Sequence, residues 1–333
     1  MPERSPEKTV GDTPLLEQVY LPHLLGSQNA DGGWGYGKGG QSGVEPTSWV
    51  LLALNEVEEL RSRGVEKFRS MQLLDSSPSR LLNLLNAGMR WLQECQLPDG
   101  SWPSFAGQTR GCWATATASL ALYALGNSQD CVARGLEWLS KTWPVEGGLW
   151  QRITLKVLRR RKVIRQNESL RGWSWTPGTA SWVEPTTYAL LAFRHIPKEL
   201  HPRGAERRRR LAERMLYDRM CPGGGWNSGN PLVYGAAGVP RIGPTVWALL
   251  ALRDYMDRPE NRRSLDWLEQ AYPQIQGPGS LALAHLCFEI YNRSAPPLGP
   301  ALAALNSNNQ FLGNVLAAAW ATIALSGRPR WLS

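Results

Sequence analysis

The sequence predicts an all-α protein, a closed ring of about six helical hairpins in which apolar inner helices are wrapped by amphipathic outer ones. Three observations lead there. Strongly apolar helical stretches alternate with amphipathic ones, no convincing period-two run marks a strand, and a Gly/Trp-rich turn recurs at a fixed distance from a helix start. The turn Trp and the helix Thr are thirteen residues apart in Trp34/Thr47 (47 − 34), Trp102/Thr115 (115 − 102) and Trp173/Thr186 (186 − 173). An open superhelix of tetratricopeptide type fits less well, because the units here run to about 45 to 70 residues and that repeat is shorter and more regular.

Taken in order, residues 1–12 read as a disordered tail, and 13–333 as one domain. Leu15 to Gln28 is the first outer helix and ends at the glycine turn NADGGWGYGKGG. Pro46 stands where helices accept proline, and Thr47 to Leu60 is apolar on most faces, as an inner helix must be. The second outer helix, Leu81 to Gln96, carries Leu81, Leu84, Leu85, Met89, Leu92 and Cys95 at helical spacing; the turn LPDGSW then leads to the inner helix Trp113 to Leu125. Asp130 to Lys141 is outer again, and a basic insertion occupies Trp143 to Arg171. The inner helix Pro185 to His195 follows, then the outer helix Gly204 to Met220 and the inner helix Pro244 to Met256. Between the last two, the Trp226 to Thr245 interval grows to nineteen (245 − 226). Arg262 to Tyr272 with Gly279 to Tyr291, and Pro300 to Leu305 with Phe311 to Leu325, complete six pairs.

Composition narrows the function. A chain of 333 residues, 42% hydrophobic, can bury a substantial core. It has no apolar run long enough to span a bilayer and no signal-like N-terminus, so a cytoplasmic location is expected. The five cysteines are widely spaced and form no CxxC pair, which suggests neither a disulfide framework nor a zinc knuckle. The net charge of +9 gathers in Arg152 to Arg165 and Arg203 to Arg219. With no zinc finger or RNA-binding signature beside them, nucleic acid is not expected as a partner. An anionic membrane surface, met through Arg152 to Arg165 with its interleaved Ile153, Leu155, Val157 and Leu158, is expected instead, and with it peripheral membrane attachment.

QNADGGWGYG at 28–37, QLPDGSW at 96–102, RGWSW at 171–175 and GGGWNSG at 223–229 resemble the glutamine-tryptophan repeats of the squalene-hopene cyclase and protein prenyltransferase superfamily. The resemblance covers nearly the whole chain after the tail and implies a single α/α toroid that holds an isoprenoid chain. It also implies two alternative chemistries. Cyclases of this kind protonate an alkene from an Asp-x-Asp-Asp motif. On that motif Glu184 takes the place of the proton-donating Asp, with Trp182 and Pro185 replacing its carboxylate neighbours. Prenyltransferases hold zinc through Asp-x-Cys and a later His. Glu45-Pro46-Thr47 and Glu184-Pro185-Thr186 fall on the first pair and His285 near the second, so a hydroxyl replaces the thiolate and no metal or other cofactor is expected.

The candidate acids are therefore Glu184 and Glu45, at one register of two inner helices. Both segments equally suit a helix start, where an acid meets the helix dipole and is held ionised. Two residues after the Thr come Trp49, Tyr188 and Trp247, with Trp320 at the matching point of the last helix; Thr117 breaks the series. These aromatics are either an isoprenoid-facing collar, able to meet a cation through its π faces, or packing between helices. The turn tryptophans Trp34, Trp102, Trp173 and Trp226 read as structural clamps. His285 joins the substrate-binding candidates, with a satisfied core histidine as its plain reading. The leading expectation is a terpene-cyclase-like protein that binds a linear isoprenoid and starts cyclisation by protonation. The alternatives are a non-catalytic isoprenoid-binding or scaffold toroid and, third, a prenyltransferase-like protein without its zinc set.

Overall fold

The computed structural model describes residues 13–65, 68, 78–126, 128–160, 166–167, 169–307 and 313–332. The expected tail at 1–12 lies outside them, as do residues 161–165 of the basic cluster.

Among the described residues, α1 is a helical run made of Thr13–Leu15, a π-helical Leu16–Tyr20 and Leu21–Leu25. Then come α2 Val44–Ser62, α3 Pro78–Glu94, α4 Ala114–Ala124, α5 Gln129–Lys141 and α6 Leu149–Arg160. They are followed by α7 Val183–His195, α8 Ala205–Asp218, α9 Ile242–Ala251 and α10 Pro259–Ala271. Finally come α11 Pro278–Ile290, α12 Leu298–Ser307 and α13 Val315–Ser326. Each helix expected from periodicity has a counterpart among the described residues; α9 stops at Ala251, five residues short of the expected Met256, with a 3-10 turn at Arg253–Tyr255 after it, and residues 311–312, the expected start of the last helix, lie outside the described residues.

Two details differ. The inner helices α7 and α9 begin two residues earlier than expected and α2 three, so Pro46, Pro185 and Pro244 stand at their third position. Proline is tolerated there for the same reason as at the first: none of the first four N–H groups has an intrahelical acceptor to lose. The long loop before α9 also holds a strand pair that periodicity did not reveal, β1 Leu232–Val233 and β2 Ala236–Ala237, with Val233 opposite Ala236. Tyr234 and Gly235 between them both have positive φ, 50° and 81°, the geometry of a two-residue hairpin turn.

The chain forms two compact units. One is built from Met1–Glu94 and Ile275–Trp331, the other from Cys95–Gln274. In the first, the inner helices α11, α13 and α2 pack in a row; α3 covers α2, α12 covers α11, and α1 covers α13. In the second, the inner row is α4, α7 and α9, covered by α5, α8 and α10 respectively. Each inner helix thus leans on the outer helix that follows it, and the N-terminal helix serves the last. Residue chemistry explains the layering. The inner helices are buried almost throughout, from Val44 to Leu54 in α2 for example, whereas α5 and α8 bury only a stripe such as Val132, Leu136 and Leu139.

Candidate functional site

The constant interval between Trp and Thr has a direct cause. In all four copies the Thr hydroxyl accepts a hydrogen bond from the Trp backbone N–H at 2.9 Å: Thr47 from Trp34, Thr115 from Trp102, Thr186 from Trp173 and Thr245 from Trp226. The same hydroxyl donates to that residue's carbonyl at 3.2 to 3.4 Å. One buried side chain therefore satisfies the main-chain N–H of the turn Trp and gives its carbonyl a second donor beside the backbone N–H of Gly43, Cys112, Trp182 or Arg241. The interval of nineteen preserves the same pair of bonds, so the extra residues bulge out as loop. Gly172 leaves room for this arrangement, because a Cβ there would lie 2.1 Å from the Thr186 hydroxyl oxygen. The four turn tryptophans are buried, and the indole N–H of Trp34, Trp173 and Trp226 donates to the carbonyls of Leu24, Leu139 and Leu216.

Each Thr fixes the start of an inner helix, and in α2 and α7 with it the acid two residues before. Glu184 lies in the first turn of α7. Its Oε1 accepts from the Ser228 hydroxyl at 3.4 Å, and its Oε2 is buried with no hydrogen-bond partner. Burial raises its pKa above the ordinary carboxylate value, while its own backbone N–H, the Ser228 hydroxyl and the Arg241 charge pull the other way. The sequence leads one to expect a helix-start carboxylate held ionised; in the fold, desolvation outweighs the helix field. Ser228 reaches Glu184 from the loop ahead of α9, and the Ser228 carbonyl also accepts from the Val183 N–H at 3.1 Å. The remoteness of Ser228 in sequence hid it.

Glu45 is buried in the first turn of α2 and accepts a 2.6 Å hydrogen bond from the Tyr36 hydroxyl. Tyr36 belongs to the glycine turn, and its carbonyl receives the Val315 N–H at the start of α13. The two acids therefore have different partners, a phenol for Glu45 and a weakly held serine for Glu184.

The four aromatics form two edge-to-face pairs. Trp49 of α2 meets Trp320 of α13 with ring centroids 6.3 Å apart and planes at 78°. Tyr188 of α7 meets Trp247 of α9 at 5.2 Å and 83°. Each pair bridges neighbouring inner helices, a geometry that aromatic quadrupoles favour. Trp49 also meets Trp331 near the C-terminus at 5.6 Å. Tyr188 is one turn beyond Glu184, on the same side of α7. His285 lies on α11, 3.8 Å from Glu289 one turn on. Among the described residues no group of three or more His, Cys, Asp or Glu side chains is placed to hold a metal ion. A cavity of about 10 Å³ beside Pro185, lined by Trp113, Thr142 and Trp173, has room for one water and none for an isoprenoid.

The sequence reading also missed a buried arginine. Arg208 of α8 is sandwiched between the rings of Trp143 and Trp173, its guanidinium carbon 4.0 and 4.3 Å from their centroids, and donates to the Thr142 and Gly172 carbonyls at 2.9 and 3.1 Å. Burial first, and then the Arg171 charge, lowers its pKa to about 9, while Glu146 opposes the shift.

No protein-family model matches the chain, and no curated protein matches its sequence. Solved structures do match in shape. The type II terpene cyclase MstE from Scytonema aligns over 95% of this chain and 98% of its own, with 13% identity and a TM-score of 0.58. A variant of that enzyme in complex with its substrate, geranylgeranyl dihydroxybenzoate, aligns with a TM-score of 0.59, also at 13% identity, over 95% of this chain and 96% of its own. Salmonella alpha-2-macroglobulin reacted with methylamine aligns over 96% of this chain but 18% of its own, with 15% identity and a TM-score of 0.50. These likenesses show an α/α toroid fold of the terpenoid-cyclase-like kind. A fold shared by a cyclase and by a macroglobulin leaves the chemistry to the side chains.

Proposed function

We propose that this protein is terpene-cyclase-like, taking a linear isoprenoid chain against the inner helix Val183–His195, with Glu184 as the proton donor. The observation that carries the reading is the state of Glu184. Its Oε2 is buried without a hydrogen-bond partner, and burial raises its pKa above the ordinary carboxylate value against the pull of its own backbone N–H, the Ser228 hydroxyl and Arg241, which is the direction a proton donor needs. Tyr188, one turn beyond Glu184, meets the Trp247 ring, and these two aromatics, both buried in this structure, are the ones assigned to a polyene or to a carbocation formed from it. Within the other unit, Trp49 and Trp320 pair in the same way across α2 and α13, and Glu45 accepts from Tyr36.

One observation favours a second reading, a non-catalytic isoprenoid-binding protein. The groups that act on Glu184 are its own backbone N–H, Ser228 and Arg241, and no second carboxylate is among them. An acid working on an alkene gains from a neighbour that receives the remaining charge. A prenyltransferase-like reading ranks third.

The test is to incubate the purified protein with geranylgeranyl and squalene substrates and analyse the products. Cyclic product that falls by two orders of magnitude or more in Glu184→Gln supports the donor role, in line with the loss of a general acid, about 10²–10⁴-fold. Equal product in the variant overturns it. No product from either protein, together with an isoprenoid retained in native mass spectrometry, selects the binding reading.

A further inference from the structure

The unit built from Cys95–Gln274 carries two elements with exposed apolar side chains. The first is α6, within the basic insertion. Leu149, Ile153 and Val157 follow one another at four-residue spacing on one side of the helix, and Trp150 borders them. All four are solvent-exposed, Leu149 at 69% and Trp150 at 82%. The second is the β1–β2 hairpin, with Tyr234 at its tip 80% exposed, Val239 just beyond it 77% exposed, and Val233 exposed as well. A folded chain seldom leaves such side chains in water together without a use for them.

Hydrogen bonds root both elements at the end of α7 that carries Glu184. The chain enters the insertion at Val145, whose N–H donates to the Thr179 carbonyl at 3.1 Å, and at Glu146, whose carboxylate accepts the Ser181 N–H at 2.8 Å. It leaves at Gln166, whose side-chain amide donates to the Gly229 carbonyl at 3.1 Å and to the Asn230 side chain, at the foot of the hairpin. Ser228, one residue earlier, holds the first turn of α7.

Charge identifies the occupant. From Leu149 to Arg165 the sequence has seven Lys and Arg residues and no Asp or Glu, and from Asn227 to Gly243 it has Arg241 and no acid. An exposed aliphatic stripe bordered by Trp, beside a Tyr-tipped hairpin, in segments whose only charges are Lys and Arg, is the composition of an element that lies in a lipid interface.

We infer that α6 and the β1–β2 hairpin are the two feet of one membrane-docking face, which rests on anionic lipid with Trp150 and Tyr234 inserted at headgroup level. The structure adds to the basic cluster a second foot, an apolar contact and a location at the Glu184 end of α7. The inference is independent of what the protein binds or catalyses.

Flotation with phosphatidylcholine vesicles, with and without phosphatidylserine, tests it. Binding is expected to the phosphatidylserine vesicles, to weaken about tenfold or more in high salt or in Lys156→Glu/Arg159→Glu, and to be lost in Trp150→Asp/Tyr234→Asp. Circular dichroism checks that these surface variants fold. As a second readout, brominated phospholipid should quench the protein's fluorescence, and the quenching should shrink in Trp150→Phe. Equal binding by the Trp150→Asp/Tyr234→Asp variant, equal binding to uncharged vesicles, or no vesicle binding alongside capture of RNA or an acidic protein overturns the assignment.

Discussion

Thr186 shows how one hydroxyl can determine a local fold. It accepts from the Trp173 N–H and donates to the Trp173 carbonyl inside a buried layer, and three other threonines do the same. Replacing it with valine keeps the shape, removes both bonds and leaves a main-chain N–H buried without a partner. Thr186→Val is expected to lower stability by about 1–3 kcal/mol in urea unfolding, and Thr186→Ser to keep most of it. A valine variant as stable as the parent would show that the bonds contribute nothing net. The thirteen-residue interval was legible in the sequence, since every copy obeys one local geometry. Ser228 was not legible, because its contact with Glu184 spans a loop of irregular length.

Among the elements, the outer helix α8 holds the most unusual group in its unit. Arg208 lies between Trp143 and Trp173, so a charge occupies a position that in an outer helix normally takes a leucine. The nearby Glu146 opposes the pKa depression and is itself buried, with Oε2 unpartnered. Removing one of two nearby buried charges leaves the other less compensated. Arg208→Gln is expected to cost about 3–5 kcal/mol, and Glu146→Gln added to it should recover part of that cost. Additive losses in the double variant would show that the two charges do not interact. Apart from the end of α9, the helices themselves were read from periodicity to within a few residues. The insertion helix α6 and the β1–β2 hairpin were not; in both, apolar side chains such as Ile153, Val157, Val233 and Tyr234 are exposed, which a search for buried faces passes over.

At the scale of the whole molecule, stability couples to pH through Glu56. It is buried in α2, with its pKa raised to about 7 by desolvation first and the Glu59 charge second, against the pull of the Arg330 backbone N–H and charge. Arg330 also pairs with Glu59 at 3.1 Å, which ties the C-terminal segment to the same helix. The sign follows from proton binding. The folded state binds the Glu56 proton more tightly than the unfolded one, so this contribution is full below about pH 4.5 and is lost as pH rises through about 7. Between pH 5 and 8 the native protein should therefore lose about 2–3 kcal/mol relative to Glu56→Gln, measured as the difference between their unfolding free energies. A difference that stays constant with pH would refute the linkage.

The sequence by itself determined the class and the order of elements. Helical periodicity, proline and glycine at helix ends, and the fixed distance from Trp to Thr are local properties, and local properties survive in a one-dimensional reading. Only the tertiary structure decided that each inner helix leans on the outer helix after it and that α1 covers α13. It likewise decided that Glu184 sits with a raised pKa, where its helix start alone argues for an ionised acid. Desolvation and packing are sums over neighbours brought from distant parts of the chain, and spacing along the sequence does not record them.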